Sequence, residues 1–94
     1  MALNKAIFDA IEKGNAKKAD KEFVEYCKHI VKNGESAKTL RGARMAYAMV
    51  ASKGITEVDA LLGVKEGRLT DLKDLQASDE RTYEAVKKLV DGTA

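Results

Sequence analysis

Residues 32–36, Lys32-Asn33-Gly34-Glu35-Ser36, contain both the end of one predicted helix and the start of the next. Gly34 predicts a helix end, because the residue after the last turn often takes a left-handed conformation that glycine adopts at little cost. The preceding Lys32 supports this, since a cation in the last turn interacts favourably with the helix dipole. Ser36 can then accept a hydrogen bond from an unpaired amide in the first turn of the following helix.

The same lysine–glycine pattern occurs twenty residues away on either side, as Lys13-Gly14 and Lys53-Gly54, in a chain that contains no proline. The pattern predicts three helices that end near these three glycines, and Asn15 can cap the second. The segments between the glycines do not align residue by residue. We therefore interpret the spacing as similar helix length and not as an internal repeat.

The first two predicted helices carry apolar residues at spacings of three and four, as amphipathic helices do. These residues are Leu3, Ile7 and Ile11 in the first helix and Ala16, Ala19, Phe23, Tyr26 and Ile30 in the second.

The third predicted helix, from Ser36 to about Lys53, is apolar on all sides over residues 45–51. Such a helix is normally buried all round. In a chain of 94 residues it either lies at the centre of the bundle or exposes a patch that a partner covers. We therefore take Met45, Tyr47 and Met49 as a candidate partner interface.

Beyond Gly54 the pattern shortens into small helices. Thr56 predicts the cap of a helix that ends near Leu62, and Ser78 predicts the start of a final helix that ends at Gly92. Between them, Gly63 and Gly67 bracket a tight connection, and Leu69, Leu72 and Leu75 mark another short helix. No segment alternates with period two, so no sheet is expected. The predicted fold is all-α: one compact domain over residues 1–94, with about five helices, three longer and then two or three short.

Composition restricts the class of protein. The chain is 45% hydrophobic and 34% charged, which is typical of a globular protein. A single cysteine, Cys27, excludes an internal disulfide. No signal-peptide pattern occurs, and the longest apolar run, residues 45–51, is far shorter than the ~20 residues needed to cross a bilayer. We expect a cytoplasmic protein without a membrane partner.

Catalytic and metal-binding residues are scarce. Cys27 and His29 are the only cysteine and histidine, and on a helix they point ~200° apart, so they cannot form a nucleophile–base pair. A zinc site needs about three or four ligands. Glu22, Glu25 and His29 share a helix face with several lysines, which indicates a solvated ion-pair surface. We expect neither an enzyme nor a bound metal or cofactor.

Two features point to nucleic acid as an alternative partner. Residues 55–69 resemble a helix-turn-helix, with Leu61-Leu62-Gly63-Val64 at the turn and Leu69 where the second helix packs back. The resemblance implies contacts from Lys65, Arg68 and Lys73, although Asp59 stands where such motifs usually place alanine. The other interpretation of this segment is a corner of the core with no DNA contact.

The second feature is a basic strip on the second predicted helix, formed by Lys17, Lys21, Lys28 and Lys32 and extended by Lys38, Arg41 and Arg44. A basic surface can bind phosphates without reading sequence, but helices also carry lysine for solubility alone. Residues 1–54 hold eleven Lys and Arg against six Asp and Glu, whereas residues 55–94 hold six against nine. This asymmetry can orient the protein on a charged partner or on a second copy.

The leading hypothesis is a non-enzymatic helical interaction module, an adaptor or regulator that acts through protein contacts as a homodimer. The alternative is a small DNA-binding regulator that uses residues 56–75 or the lysines of the second helix.

Overall fold

The computed structural model describes residues 3–64 and 72–92, with side chains for 3–64 and 79–92. In this part of the chain the structure is all-helical, without strands. The helices are α1 (Lys5–Glu12), α2 (Ala16–Lys32), α3 (Ala37–Val50), α4 (Ile55–Leu61) and α5 (Leu72–Asp91). The all-α fold class predicted from the sequence is therefore confirmed.

The predicted caps at the first two helix junctions are present. Asn15 Oδ1 accepts a hydrogen bond from the Lys18 amide, and Ser36 Oγ accepts one from the Thr39 amide. Gly14 and Gly34 both have positive φ, at 72° and 76°, so their left-handed conformations end α1 and α2 as expected.

The third lysine–glycine pair does not end α3. Helix α3 stops at Val50, and Ser52 takes the left-handed position with φ of 55°. The Lys53 amide then donates to the Ala48 carbonyl at 2.9 Å, as in the other left-handed helix ends. Gly54 instead begins α4 with φ of −77°, so the prediction that Thr56 caps this helix is also wrong.

The C-terminal region holds one long helix where the sequence predicted a break. Helix α5 runs without interruption through Ser78 for 20 residues, so Ser78 does not start a separate helix. Glycine residues end the neighbouring elements: Gly63 has φ of 88° after α4, and Gly92 has φ of 73° after α5. Gly67 and Leu69 lie outside the described residues.

The helices surround one apolar core. Helix α2 packs against α1, α3 and α5, while α3 also packs against α4 and α5. Phe23 of α2 and Tyr47 of α3 stack at the centre, with ring centroids 4.3 Å apart and ring planes 7° from parallel. Fully buried aliphatic residues lie around this pair: Ile7, Leu40, Val58, Leu62 and Val86.

Candidate interaction surface

Helix α3 carries a buried ion-pair network on its inner side. The Arg44 side chain is 1% exposed. Its Nε and Nη2 atoms donate to the two carboxylate oxygens of Asp59, each at 2.7 Å, and its Nη1 donates to Asp79 Oδ1 at 3.0 Å. One guanidinium therefore joins α3 to both α4 and α5.

Arg41 adds a second cation to this network. Its Nε lies 3.6 Å from Asp79 Oδ2, at the edge of the core. Two guanidinium groups thus face the carboxylates of Asp59 and Asp79. Such pairing is what allows charged groups to be buried, because each ion finds a partner in place of water.

The predicted extension of the basic strip to Arg41 and Arg44 is therefore wrong. Arg44 lies inside the bundle, and Arg41 is largely covered and paired. Because the guanidinium groups are held by carboxylates, they are not available to phosphates. Of the predicted extension, Lys38 alone is exposed.

The network also explains why position 59 is an aspartate, although helix-turn-helix motifs usually place alanine there. Its carboxylate is buried and takes both hydrogen bonds of a bidentate pair with Arg44. In the sequence, Arg44 and Asp59 are opposite charges within largely apolar stretches of two neighbouring helices, which is a weak signal for a buried pair. The pairing of Arg44 with Asp59 depends on the packing of α3 on α4, which local sequence does not specify.

Tyr47 also lies on the inner side of α3, with none of its surface exposed. Its hydroxyl donates to Asp20 Oδ1, and Lys53 Nζ lies 3.7 Å from Asp20 Oδ2. Burial raises the pKa of Tyr47, and the hydrogen bond to Asp20 raises it further. Tyr47 is therefore a core residue, and its assignment to the candidate partner interface is corrected.

The C-terminal half of the outer side of α3 is apolar and exposed. Met49 is 79% exposed, Met45 is 42% exposed and Val50 is 37% exposed, which are high values for apolar side chains. We define the α3 face as the outer strip formed by the exposed residues Thr39, Gly42, Met45, Met49 and Val50, with half-buried Ala46 at its edge against the core. Within the part of the chain that the structure describes, the bundle does not cover this side of α3, which agrees with the exposed-patch interpretation of its apolar sequence.

Four lysines of α2 form the α2 lysine strip, which spans ~60° of the helix circumference; they are Lys17, Lys21, Lys28 and Lys32. Lys17, Lys21 and Lys32 are exposed, whereas Lys28 Nζ lies 3.0 Å from Glu25 Oε2. Of the residues suggested by the helix-turn-helix resemblance, Lys65 and Arg68 lie outside the described residues. Lys73 belongs to α5, but its side chain is outside the described set.

Cys27 and His29 occupy opposite environments. Cys27 is completely buried, and this burial raises the pKa of its thiol to about 12. His29 is exposed on the surface of α2. A depression of about 180 Å³ includes Glu25 and His29 but not Glu22, and its Glu25 is paired with Lys28. Among the described residues, no group of three or more His, Cys, Asp or Glu side chains is arranged to hold a metal ion.

Comparison with protein-family models, curated proteins and solved structures found no match to this chain. Within residues 3–64 and 72–92, no helix combines the length and apolar character needed to cross a bilayer.

Proposed function

We propose that this protein is a non-enzymatic interaction module of the cytoplasm that acts through protein contacts and associates as a homodimer through the α3 face. The observation that carries the proposal is the exposure of Met49 and Met45 on a helix whose inner side is fixed in the core.

The two methionines form one patch because they are four residues apart on a helix. Residues at this spacing are neighbours, with Cβ atoms about 6 Å apart, and Val50 widens the patch along the same strip. Single exposed apolar residues are common, but a contiguous apolar area marks a contact surface. Methionine suits such a surface, since its flexible, polarisable side chain adapts to a partner.

The α3 face is also preformed. Arg44 holds the inner side of α3 through paired contacts to Asp59 and Asp79, and Tyr47 stacks on Phe23. A surface that is ordered before binding loses less conformational entropy when it binds. The buried network therefore supports recognition on the opposite side of the same helix.

Sedimentation equilibrium over a wide concentration range tests the proposal. We expect the mass to rise from 10.2 kDa towards twice that value, and Met49→Lys to shift the dissociation constant upwards at least tenfold. Ala60→Lys is the matched control, because Ala60 is an exposed helical residue of α4. A chain that stays monomeric at millimolar concentration would count against the proposal.

A second candidate function is phosphate binding by the α2 lysine strip. The observation in its favour is that Lys17, Lys21 and Lys32 are exposed along one side of α2. Such a strip contacts a duplex backbone without reading its sequence. Glu22 and Glu25 lie beside the strip and reduce its net charge, so the predicted affinity is modest.

Duplex DNA binding at several salt concentrations tests this second candidate. Replacing Lys17 and Lys21 with Gln should lower the slope of log affinity against log salt by ~1–2, because each phosphate contact releases a counterion. Lys5→Gln combined with Lys13→Gln is the control, since both are exposed lysines outside α2. Equal slopes for the two double variants would remove the strip from consideration.

A further inference from the structure

We infer that the α3 faces of two copies pack antiparallel across a two-fold axis, with Met49 of each copy over Thr39 and Gly42 of the other. The inference rests on the proposed function and specifies how the two copies meet. Its basis is the distribution of size and charge along the α3 face.

The α3 face is divided into a large half and a small half. Its bulky exposed side chains, Met45, Met49 and Val50, lie in the C-terminal half of α3, whereas Thr39 and Gly42 lie in the N-terminal half. A two-fold interface brings the same surface of both copies together, so this surface must be complementary to itself. Antiparallel packing satisfies that requirement, because each large half then meets a small half.

The register follows from the centre of the helix. A two-fold axis at the level of Arg44 places Gly42 of one copy opposite Ala46 of the other and Thr39 opposite Met49. The two backbones approach most closely at Gly42 and Ala46, where side chains are smallest. The two Met49 side chains then extend over the small residues on either side of this point, and the two Met45 side chains meet each other beside it.

Gly42 supports this crossing point independently of the methionines. It lies within α3, where glycine is less favourable than alanine because of the conformational entropy it loses. A Cβ atom placed on Gly42 would meet nothing within 4 Å, and its φ lies outside the left-handed range. Contacts among the described residues therefore do not require glycine here, whereas close approach of a second helix does.

Charge selects the antiparallel over the parallel arrangement. Lys38 is exposed in the first turn of α3, and the last turn of α3 contains no basic residue. In the antiparallel arrangement each Lys38 lies beside the C-terminal end of the partner's α3, where a cation is favoured. A parallel arrangement would place the two Lys38 ammonium groups side by side.

The dimer should be weak. A helix of 14 residues is ~21 Å long and ~10 Å wide, and one such strip is smaller than the ~800 Å² per partner of a standard stable interface. Association is therefore expected at micromolar or higher concentration, which sets the range for the experiment.

Cysteine cross-linking tests the orientation directly. On a Cys27→Ala background, Thr39→Cys and Met49→Cys variants are oxidised separately and as a mixture. Antiparallel packing brings residue 39 of one copy to residue 49 of the other, within the ~7 Å between Cα atoms that a disulfide needs. Residues of the same number are ~15 Å apart along the helices, so disulfide-linked dimers should form in the mixture and not in the separate samples.

Other outcomes separate the inference from the proposed function. Cross-linking within each separate sample would show parallel packing and overturn the inference while leaving a dimer. A dimer in sedimentation equilibrium that forms no disulfide cross-link would show that the copies meet through another surface, and would also overturn the inference. A monomer at all concentrations would remove both proposals together.

Gly42→Leu provides a second test that does not require cross-linking. The position is open, so the variant should fold and melt no lower than the unmodified chain. A leucine at the crossing point should raise the dimer dissociation constant at least tenfold, whereas Ala60→Leu should leave it unchanged. Undiminished association of Gly42→Leu would overturn the inference.

Discussion

Arg44 and Asp59 form a bidentate ion pair inside the helical bundle, with both hydrogen bonds at 2.7 Å and both side chains almost fully buried. The pair joins α3 to α4, and Asp79 extends it to α5. Buried pairs are not strongly stabilising in themselves, because the desolvation of both ions opposes their attraction. Their disruption is costly, however, and this asymmetry leads to the first prediction.

Arg44→Met should lower the free energy of unfolding by ~3–5 kcal/mol, because Asp59 is left buried without its partner. Urea denaturation followed by circular dichroism measures the loss. Lys5→Met is the control: it removes an exposed pair with Asp9 at 3.1 Å and should cost less than ~1 kcal/mol. Should Arg44→Met fail to fold, Arg44→Lys, which keeps the charge without the forked geometry, should still show a measurable loss. Equal effects at positions 44 and 5 would contradict the importance of the network.

Ser52→Gly should stabilise the protein by about 1 kcal/mol. Ser52 is the non-glycine residue with positive φ in the described part of the chain, and that conformation costs an L-residue ~1–2 kcal/mol. Gly34→Ser is the reciprocal control, because it places serine at a φ of 76° and should destabilise. Thermal melts should show a higher melting temperature for Ser52→Gly and a lower one for Gly34→Ser. A shift of both melting temperatures in the same direction would be inconsistent with this explanation.

Tyr47→Phe should destabilise the protein by about 1 kcal/mol, the usual net value of one hydrogen bond. The ring stays stacked on Phe23, while Asp20 loses the hydroxyl donor and keeps Lys53. Tyr47→Ala removes the ring as well and should cost ~3–5 kcal/mol. Chemical denaturation distinguishes the two contributions, and similar losses for both variants would show that the hydroxyl dominates.

Alkaline pH should destabilise the native state through Cys27. Burial raises the pKa of its thiol from 9.0 to about 12, so the folded state retains a proton that the unfolded state releases. This contribution to stability is fully present below pH 9.0 and is lost as pH rises through about 12. Burial also raises the pKa values of Tyr26 and Tyr47, which act in the same direction.

Urea titrations between pH 8 and pH 11 measure this dependence. Above pH 9 the free energy of unfolding should fall by about 1.4 kcal/mol per pH unit through the Cys27 thiol. Cys27→Ala should remove the part of this pH dependence that the thiol contributes. Thiol reagents at pH 8 should modify Cys27 in urea and not in the native protein. An unchanged slope for Cys27→Ala would exclude the thiol as a cause.

Local chemistry predicted the helix junctions well where one residue decides the conformation. Gly14, Gly34, Asn15 and Ser36 act as the sequence indicated, because left-handed residues and side-chain caps depend on neighbours within a few positions. At Lys53-Gly54 the same pattern was misleading. Serine took the left-handed position two residues earlier, and glycine began the next helix.

The inner side of α3 was not predictable in the same way. Arg41 and Arg44 have the same sequence signature as the exposed lysines of α2, and their shared carboxylate partner, Asp79, lies at least 35 residues away along the chain. Tyr47 likewise shares an apolar run with Met45 and Met49, yet it faces inward while they face outward. Separating these sides requires the positions of α4 and α5, which single-sequence periodicity does not provide.

The buried guanidinium has a consequence for how the protein opens. Arg44 is fully paired only when Asp59 and Asp79 are both in position, so the docking of α5 and the burial of the inner side of α3 are coupled events. Fraying of α5 near Asp79 would leave Arg44 partly unpaired, and water would enter between α3 and α4. Native-state hydrogen exchange should therefore report α3, α4 and the Asp79 region of α5 as one cooperative unit, with α1 opening more easily at the edge.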